Sequence, residues 1–466
     1  MNSKLWRVLV LKNELHQKRE SFSSSIGVIA AVLGSAVGLG NIWKFPYVTG
    51  ANGGAAFILV YLLCVALVGL PVMLAEHLIG RRTKSNAVGA FKKLEPRGPW
   101  FLVGGAGVLS AFLIMAFYTS VAGWVYAYIF KAAGRMLIST QPQDTSLVFT
   151  TLVSGVAEPL FWQIVVLLVT GTIIMAGVTK GIERVTKILM PVLFILLLII
   201  DIRSLTLPGA GAGLSFLFKP DFSKITVGVI LAALGLAFFK LSVGMGAMIT
   251  YGSYIDKNEN LPKMALKVVL ADTLVSLMAG VAIFPAVFAF GFKPDVGSKL
   301  LFIIIPTVFN SMPFGRAFMV LFFVLTAIAA TGAMLSLLEV INAYLTEQYH
   351  WTRRKATLLT ILAIGLVGST ATLSNSIFAN VTVFGKTFFD FYDFATSNVL
   401  LPVGGIFIAI FVGWKWGYAN VKREMSNEGQ LKNDRLVRVY MFLIKYVVPI
   451  AIVLVLLVGL KIIQLK

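Results

Sequence analysis

The sequence has 466 residues, of which 58% are hydrophobic and 13% are charged, and its formal net charge is +20. This composition excludes an ordinary soluble domain, because a single soluble core stops growing at about 250–300 residues and could not bury so much apolar side chain. The basic residues lie in short clusters between apolar runs, which is typical of membrane-protein loops and argues against nucleic acid as a partner.

Eleven apolar runs follow one another along the chain, and each is close to the length of about 20 residues that a spanning helix needs. The runs lie at about residues 26–47, 54–80, 101–131, 161–178, 186–205, 226–253, 264–290, 316–346, 355–373, 383–413 and 438–463. The loops rich in Lys and Arg are those at residues 81–84, 180–187, 353–355 and 422–438. Because cytoplasmic loops carry the basic excess, we predict a multi-pass protein of the cell's inner (plasma) membrane, with a cytoplasmic N-terminus and an extracytoplasmic C-terminus.

Two of these runs carry a Gly-x-Gly pair, Gly38 and Gly40 in the first run and Gly244 and Gly246 in the sixth. Each glycine costs a helix interior about 1 kcal/mol relative to alanine, so the pairs predict that both helices unwind. Unwound backbone is tolerated in a membrane where it lines a cavity or is buried in protein, and matching breaks in two halves indicate a transporter's binding site. The alternative is that these glycines only allow helices to pack closely.

Catalytic chemistry has little support in the sequence. The three histidines, His16, His77 and His350, are scattered, and neither a nucleophile–base pair nor a set of metal ligands has a recognisable spacing. We therefore predict that the protein is not an enzyme and holds no metal or organic cofactor.

The segment at residues 34–47, GSAVGLGNIWKFPY, resembles the first-helix signature of the sodium:neurotransmitter symporters. The resemblance covers residues 19–415 and continues through short motifs at residues 52–54, 208–210, 219–222, 242–246, 336–339 and 390–393. It is strongest to the bacterial amino-acid transporters of that family. It implies an all-α polytopic membrane protein of about eleven transmembrane helices, in which two inverted five-helix repeats surround a central site and helices 1 and 6 are unwound.

By this resemblance the chain divides into five parts. These are a cytoplasmic N-terminal segment (1–25), the first repeat (26–205), the second repeat (206–415), a cytoplasmic loop (416–437) and an eleventh helix (438–466). The expected partners are the lipid bilayer and a small amino-acid substrate carried by alternating access. The oligomeric state is left open.

The resemblance also assigns substrate contacts between the two unwound helices. The matching positions are Ala36, Leu39, Gly40, Ile114, Tyr118, Phe239, Lys240, Ser242, Met245, Ser336 and Leu337. The amides of Leu39 and Gly40 and the Tyr118 hydroxyl are expected to bind a carboxylate, because free amides at a helix break are donors. The carbonyls of Ala36 and Phe239 and the Ser242 hydroxyl are expected to accept from an ammonium. Met245 in the side-chain pocket favours a hydrophobic or aromatic amino acid, since methionine is flexible and apolar.

Two gates are expected on the same grounds. Lys44 and Asp393 match the outer ion pair, which closes across Phe239, and Arg19 and Glu347 match the inner one. The alternative for the inner pair is that Arg19 is a cytoplasmic positive charge and Glu347 a solvated residue at a helix end.

The family's two sodium sites are altered in this sequence. The first site maps to Ala36, Asn41, Lys240 and Asp272, and the second maps to Gly34, Val37, Ala329, Gly332 and Ala333. Sodium binds oxygen ligands, but Lys240 replaces a Ser or Thr, and Gly332 and Ala333 stand where two hydroxyls are expected. A shift of one residue would recover Thr331 as a ligand, although it would break the match from Ser336 onward.

Lys240 lies about 14 residues from either end of its run, or roughly 21 Å at 1.5 Å per residue. Its side chain cannot reach an interface from there, and an unpaired charge at mid-membrane costs at least about 2.5–3.5 kcal/mol. Asp272, in the next run, is the expected counter-charge. Our hypothesis is that the Lys240 ammonium replaces the first sodium and binds Asp272, Asn41 and the substrate carboxylate; the alternative is a purely structural pair.

The family's anion site maps to Tyr61, Leu236 and Ser276, and Leu236 replaces a glutamine. With Lys240 facing Asp272, neutrality requires neither sodium nor chloride, and coupling to protons through this pair stays open. We therefore expect a sodium- and chloride-independent secondary transporter. The alternatives are a sodium-coupled amino-acid symporter with altered ion sites and a non-transporting sensor or regulatory homologue.

Overall fold

The computed structural model describes residues 20–292, 300–460 and 462, and throughout these ranges the regular structure is helical. Val383 and Lys386 form an isolated antiparallel bridge. Arg19, one of the predicted gate residues, lies outside the described residues.

The α-helices are, in chain order, α1 (Ser25–Ala36), α2 (Phe45–Ala51), α3 (Ala55–Cys64), α4 (Leu70–Thr83), α5 (Ala87–Leu94), α6 (Phe101–Ala133), α7 (Pro142–Ser154), α8 (Ala157–Met175), α9 (Arg184–Leu205), α10 (Ala210–Phe218), α11 (Val227–Lys240), α12 (Ala247–Tyr254), α13 (Leu261–Ala289), α14 (Ile305–Asn310), α15 (Gly315–Tyr349), α16 (Arg353–Thr372), α17 (Phe388–Phe394), α18 (Leu401–Ile410), α19 (Gly417–Met425), α20 (Asp434–Phe442) and α21 (Val448–Gly459). Short π-helical stretches join or extend them at Gly40–Lys44, Val65–Gly69, Val178–Glu183, Leu300–Ile304, Ala395–Leu400, Phe411–Trp416 and Leu443–Val447, and Phe222–Lys224 is a 3₁₀ turn.

The helices that can cross a membrane, by length and composition, number nine within the described ranges. They are Ala55–Thr83, Phe101–Ala133, Ala157–Met175, Val178–Leu205, Leu261–Ala289, Gly315–Tyr349, Arg353–Thr372, Phe388–Met425 and Asp434–Gly459. The pair Ser25–Ala36 and Gly40–Ala51, bent by 51°, makes a tenth. The sixth predicted run forms two helices, α11 and α12, each too short to cross alone, so the count of eleven stays a prediction. The all-α multi-span fold itself is confirmed.

Both predicted helix breaks are present. α1 ends at Ala36, and Val37 is extended with φ −80° and ψ 103°. α11 ends at Lys240, and the chain then passes through left-handed conformations at Ser242 (φ 53°) and Gly244 (φ 82°) before α12 begins. The freed amide of Gly244 donates to the buried Glu76 carboxylate at 2.6 Å, which satisfies one of the donors that the break exposes.

Gly244 lies at a helix break and also in a close helix contact, so the two interpretations of the glycine pair both hold at this position. A Cβ on Gly244 would lie 2.5 Å from the Leu401 carbonyl oxygen, so α18 approaches the break at a distance that only glycine allows.

We expect Gly244→Ala to lower the free energy of unfolding by about 2–4 kcal/mol, because alanine disfavours positive φ and its methyl group would displace Leu401. Thermal unfolding in detergent measures the change. Gly235→Ala is the matched control, since it lies in α11 with open space around its Cβ position, and it should not lower the unfolding temperature, because alanine is favoured over glycine in a helix. Equal effects of the two substitutions would contradict the argument.

Candidate functional site

The two helix breaks meet at the centre of the bundle. The Ser242 hydroxyl donates to the Ser35 carbonyl at 3.0 Å, which ties the second break to the end of α1. A Cβ on Gly40 would lie 3.3 Å from Lys240 Cγ and 3.6 Å from the Phe239 ring, so the first break packs directly on the end of α11. Residues predicted to contact substrate from both helices therefore lie together.

Tyr118, from α6, reaches the first break. The Leu39 amide donates to the Tyr118 hydroxyl oxygen at 3.0 Å, and both side chains are buried. Because the hydroxyl accepts this bond, its own hydrogen remains available to a ligand. The single hydrogen of the Leu39 amide is thus already donated to Tyr118, so of these two predicted carboxylate donors the Tyr118 hydroxyl is the one with a free hydrogen in this structure.

The predicted side-chain pocket is apolar. Ile114, Met245 and Leu337 are buried, while Phe239 is half-buried. Ser336, also buried, donates its hydroxyl to the Ala333 carbonyl at 2.8 Å, which removes most of its polarity from the pocket. The contact of these residues with a substrate stays a prediction.

Lys240 lies in a fully buried polar cluster. Its ammonium donates to the Asp272 carboxylate at 3.0 Å, to the Tyr61 hydroxyl at 2.8 Å and to the Ser276 hydroxyl. The side chains of Lys240 and Asp272 are both 0% exposed. A lysine has three N–H donors, so this cluster uses all of them.

Asn41, at the first break, completes the cluster from the other side. Its amide group donates to Asp272 Oδ1 at 2.6 Å and to Ser276 Oγ at 3.0 Å. The predicted direct contact between Lys240 and Asn41 is therefore wrong in this structure, because both side chains donate to Asp272. Lys240 is connected to the first break through Asp272 and Asn41, and its contact with a substrate carboxylate stays a prediction.

The same ammonium joins the two predicted ion sites. Asp272 belongs to the predicted cation site, whereas Tyr61 and Ser276 belong to the predicted anion site, and Lys240 contacts all three. Leu236, the third anion-site position, is buried and offers no donor. The ion pair is thus neutral, and the Tyr61 and Ser276 hydroxyls of the predicted anion site accept from Lys240, while the Ser276 hydroxyl itself donates to the Asp272 carbonyl at 3.0 Å.

The helix backbones pack closely at the predicted second ion site. A Cβ on Gly332 would lie 2.7 Å from the Gly34 carbonyl oxygen, and a Cβ on Gly38 would lie 2.9 Å from Ala333 Cβ. The nearby Thr331 hydroxyl donates to the Ala327 carbonyl at 2.8 Å and contacts the Tyr126 hydroxyl at 2.8 Å. The close approach of α1 and α15 leaves no space for a side-chain ligand at position 332.

The predicted outer gate is arranged differently from expectation, and the inner gate stays a prediction. Within the described ranges Lys44 and Asp393 form no ion pair; the Lys44 ammonium lies 3.8 Å from the centre of the Phe239 ring, and Asp393 accepts from Ser397 at 2.8 Å. The predicted outer ion pair is therefore not formed in this structure, because Lys44 makes a cation–π contact instead. Glu347 accepts from the Asn86 backbone amide at 2.8 Å, and its proposed partner lies among residues that are not described.

A second charge cluster surrounds the buried Glu339, in the C-terminal part of α15, and sequence reasoning missed it. Arg353 binds the buried Glu339 carboxylate, Tyr254 donates to the same carboxylate at 2.6 Å, and Glu20 lies 3.8 Å from Arg353. The sequence did carry a signal for it: Glu339 lies inside an apolar run, where an unpaired charge is costly and therefore requires a partner.

The chain resembles known proteins over nearly its whole length. The model of the sodium:neurotransmitter symporter family matches residues 19–148 and 148–466. A Bacillus subtilis protein named "Uncharacterized sodium-dependent transporter YhdH" is 42% identical over 439 residues, which cover 94% of this chain and 97% of that protein. The dog sodium- and chloride-dependent taurine transporter is 26% identical over 455 residues, covering 87% and 72% of the two chains.

A solved structure is also similar to this chain over nearly its whole length. The crystal structure of MhsT in complex with L-phenylalanine superposes with a TM-score of 0.87 at 44% identity, covering 95% of this chain and 100% of that one. Together with the family match, the broken helices and the residues gathered around them identify the protein as a member of the sodium:neurotransmitter symporter family.

Proposed function

We propose that this membrane transporter carries a hydrophobic or aromatic amino acid by alternating access, and that the Lys240 ammonium replaces the first sodium ion of its relatives. The observation that carries the proposal is the fully buried Lys240–Asp272 ion pair, whose partners come from both ion sites. On this proposal transport requires neither sodium nor chloride. The protein lies in the plasma membrane with residue 20 toward the cytoplasm.

The substrate class follows from the pocket and from a relative. Ile114, Met245 and Leu337 present apolar side chains beside the helix breaks, which suits a large apolar substituent and disfavours a charged one. The relative MhsT, 44% identical, was crystallised with L-phenylalanine.

An ammonium suits the first site for electrostatic reasons. A sodium ion there would bring one positive charge to the Asp272 carboxylate, and the ammonium brings the same charge on a covalent tether. A buried ion pair is tolerated when its remaining hydrogen bonds are satisfied, and here Tyr61, Ser276 and Asn41 satisfy them. The close packing of Gly332 on Gly34 supports the loss of the second ion as well.

The second candidate function is sodium-coupled symport, which the names of the relatives favour: the proteins of Bacillus subtilis and Haemophilus influenzae are both called sodium-dependent transporters. Equilibrium binding of labelled amino acids to the purified protein discriminates between the two. We expect aromatic and large aliphatic amino acids to bind with the same affinity in sodium chloride and choline chloride, because an ion without a site cannot shift a binding equilibrium.

Binding that strengthens about tenfold or more with sodium would favour the sodium-coupled function and contradict the proposal. Equal affinity for aromatic, acidic and basic amino acids would contradict the substrate class. Binding that is not followed by uptake would indicate a sensor rather than a transporter.

The Tyr118 hydroxyl gives a direct test of the carboxylate site. We expect Tyr118→Phe to weaken substrate binding by about tenfold, since a hydrogen bond to a charged group contributes about 1.5–3 kcal/mol. Tyr128→Phe is the matched control: it removes a buried hydroxyl from the same helix, where it contacts the Phe302 carbonyl. If both variants bind equally, Tyr118 has no part in the substrate site.

A further inference from the structure

A groove of about 570 Å³ lies at the end of the bundle that carries the basic loops, away from the transport site. Three segments form its walls. The first wall consists of Ala66, just before α4, with Leu70 and Leu74 in α4, and the second consists of Lys263 and Leu266 in α13. The third wall comes from α20 and the residue after it. The third wall follows the helical spacing i, i+3, i+4, i+7, with Leu436, Val439 and Tyr440 in α20 and Leu443 at the start of the π-helical stretch that follows it. Its volume is in the range of about 300–1,000 Å³ that ligand pockets occupy.

The walls of the groove are apolar and open to the lipid side. Leu266, Leu436 and Val439 are each about half exposed, at 47%, 49% and 52%. The floor is closed by Met425 and Tyr440, both buried. An apolar concave surface of this kind at a membrane protein's flank fits a hydrocarbon chain.

The apolar groove also carries positive charge. Lys263 and Lys432 line it, both side chains are exposed, and neither takes part in an ion pair within the described ranges. The neighbouring Lys422, by contrast, is paired with Asp434 at 2.6 Å. An amphiphile with a negative headgroup would contact the two lysines through its headgroup and the apolar walls through its hydrocarbon chain.

A buried hydroxyl points to the same occupant. Tyr440 is 5% exposed and lines the groove, and its hydroxyl oxygen has no hydrogen-bond partner among the residues that the structure describes. A buried polar group without a partner costs about 1–3 kcal/mol, so a ligand that supplies an acceptor would bind favourably there. The ester and glycerol oxygens of a phospholipid, which lie between its headgroup and its chains, are acceptors of this kind.

The basic loop at this groove is held in place by buried contacts. Arg81, at the end of α4, donates to Glu424 at 3.0 Å, to Asn427 at 3.1 Å and to the Glu259 carbonyl at 2.7 Å. These bonds join α4, the start of α13 and the loop that carries Lys432. The groove is therefore formed by elements that are fixed to one another.

We propose that this groove binds an anionic phospholipid of the leaflet that faces the basic loops, with Lys263 and Lys432 on its phosphate and Tyr440 on its ester or glycerol oxygens. The inference is independent of the proposed transport function. Near a membrane surface each lysine contributes about 1 kcal/mol to the binding of an anionic lipid, so two lysines correspond to a preference of about tenfold or more over a zwitterionic lipid.

Native mass spectrometry of the delipidated full-length protein tests this by titration with phosphatidylglycerol and phosphatidylcholine of the same acyl chains. We expect phosphatidylglycerol to bind about tenfold more tightly, and Lys263→Gln with Lys432→Gln to remove that preference. Lys257→Gln with Lys267→Gln is the matched control, because these exposed lysines flank the groove without lining it. Equal binding of the two lipids, or an equal loss in the control, overturns the proposal.

A second pair of variants tests the apolar walls. Leu266→Trp fills the groove from an exposed position, and Leu270→Trp adds the same ring one turn further along α13, outside the groove. We expect the first to lower phosphatidylglycerol binding at least fivefold and the second to leave it unchanged. Unaltered binding in Leu266→Trp would place the lipid elsewhere and overturn the assignment.

Discussion

Replacing Lys240 with methionine is expected to destabilise the protein by about 3–5 kcal/mol and to abolish high-affinity substrate binding. The substitution leaves the Asp272 carboxylate buried without a cation, and breaking a buried ion pair on one side has a cost of this size. Thermal unfolding and equilibrium binding measure the two effects.

Removing the second charge as well gives the control for Lys240→Met. Asp272→Asn alone should destabilise the protein by a similar amount, and the double variant should recover most of the loss, because no unpaired charge remains. Additive losses in the double variant would show that the two groups do not act as a pair.

Lys240→Ser is the next variant, since the family resemblance implies a serine or threonine at this position and the serine hydroxyl gives the site an oxygen ligand. We expect sodium chloride, but not choline chloride, to raise the unfolding temperature of Lys240→Ser, while Lys240→Met responds to neither salt. Sodium would then occupy the space next to Asp272 and Asn41 that the ammonium held. The absence of any sodium effect on Lys240→Ser would contradict the idea that the ammonium lies in a former sodium site.

Gly332→Ala is expected to lower substrate uptake by about tenfold and the free energy of unfolding by about 1–3 kcal/mol. Its methyl group would lie 2.7 Å from the Gly34 carbonyl oxygen, so α1 and α15 could not approach as they do. Reconstituted vesicles and thermal unfolding provide the two measurements.

Gly365→Ala is the control for this second substitution. It places a methyl group on α16 at an ordinary 3.6 Å from Leu167, so uptake should be unchanged and stability should not fall, because alanine is favoured over glycine in a helix. If Gly332→Ala transports as well as this control, the helices can separate at Gly34 and the second ion site is not closed by their packing.

The breaks in the first and sixth helices could be predicted from the sequence because glycine pairs are a local signal. The pairing of Lys240 with Asp272 was predictable for another reason: a lysine far from either end of an apolar run requires a counter-charge, and the resemblance supplied a candidate. Glu339 carried the same kind of signal, and its partner Arg353 could have been sought in the same way.

The distribution of hydrogen bonds within the site could not be predicted. Lys240 has three donors, and whether they reach Asn41 or Tyr61 depends on side-chain geometry that motifs do not encode. Lys44 is a similar case, since its contact with the Phe239 ring in place of Asp393 depends on how far apart the two helices lie. The close packing of Gly332 on Gly34 could not be predicted either, because the sequence shows only that Gly332 lacks the expected hydroxyl.

Uptake of labelled L-phenylalanine into vesicles that contain the purified protein tests the central claim most directly. External sodium, potassium and choline salts should be compared at equal concentration, with and without a proton gradient. If the Lys240 ammonium replaces sodium, the initial rates in the three salts will be equal, and any dependence will follow the proton gradient alone. Uptake that requires sodium would contradict the account, because the ion would then bind beside a lysine that already neutralises Asp272.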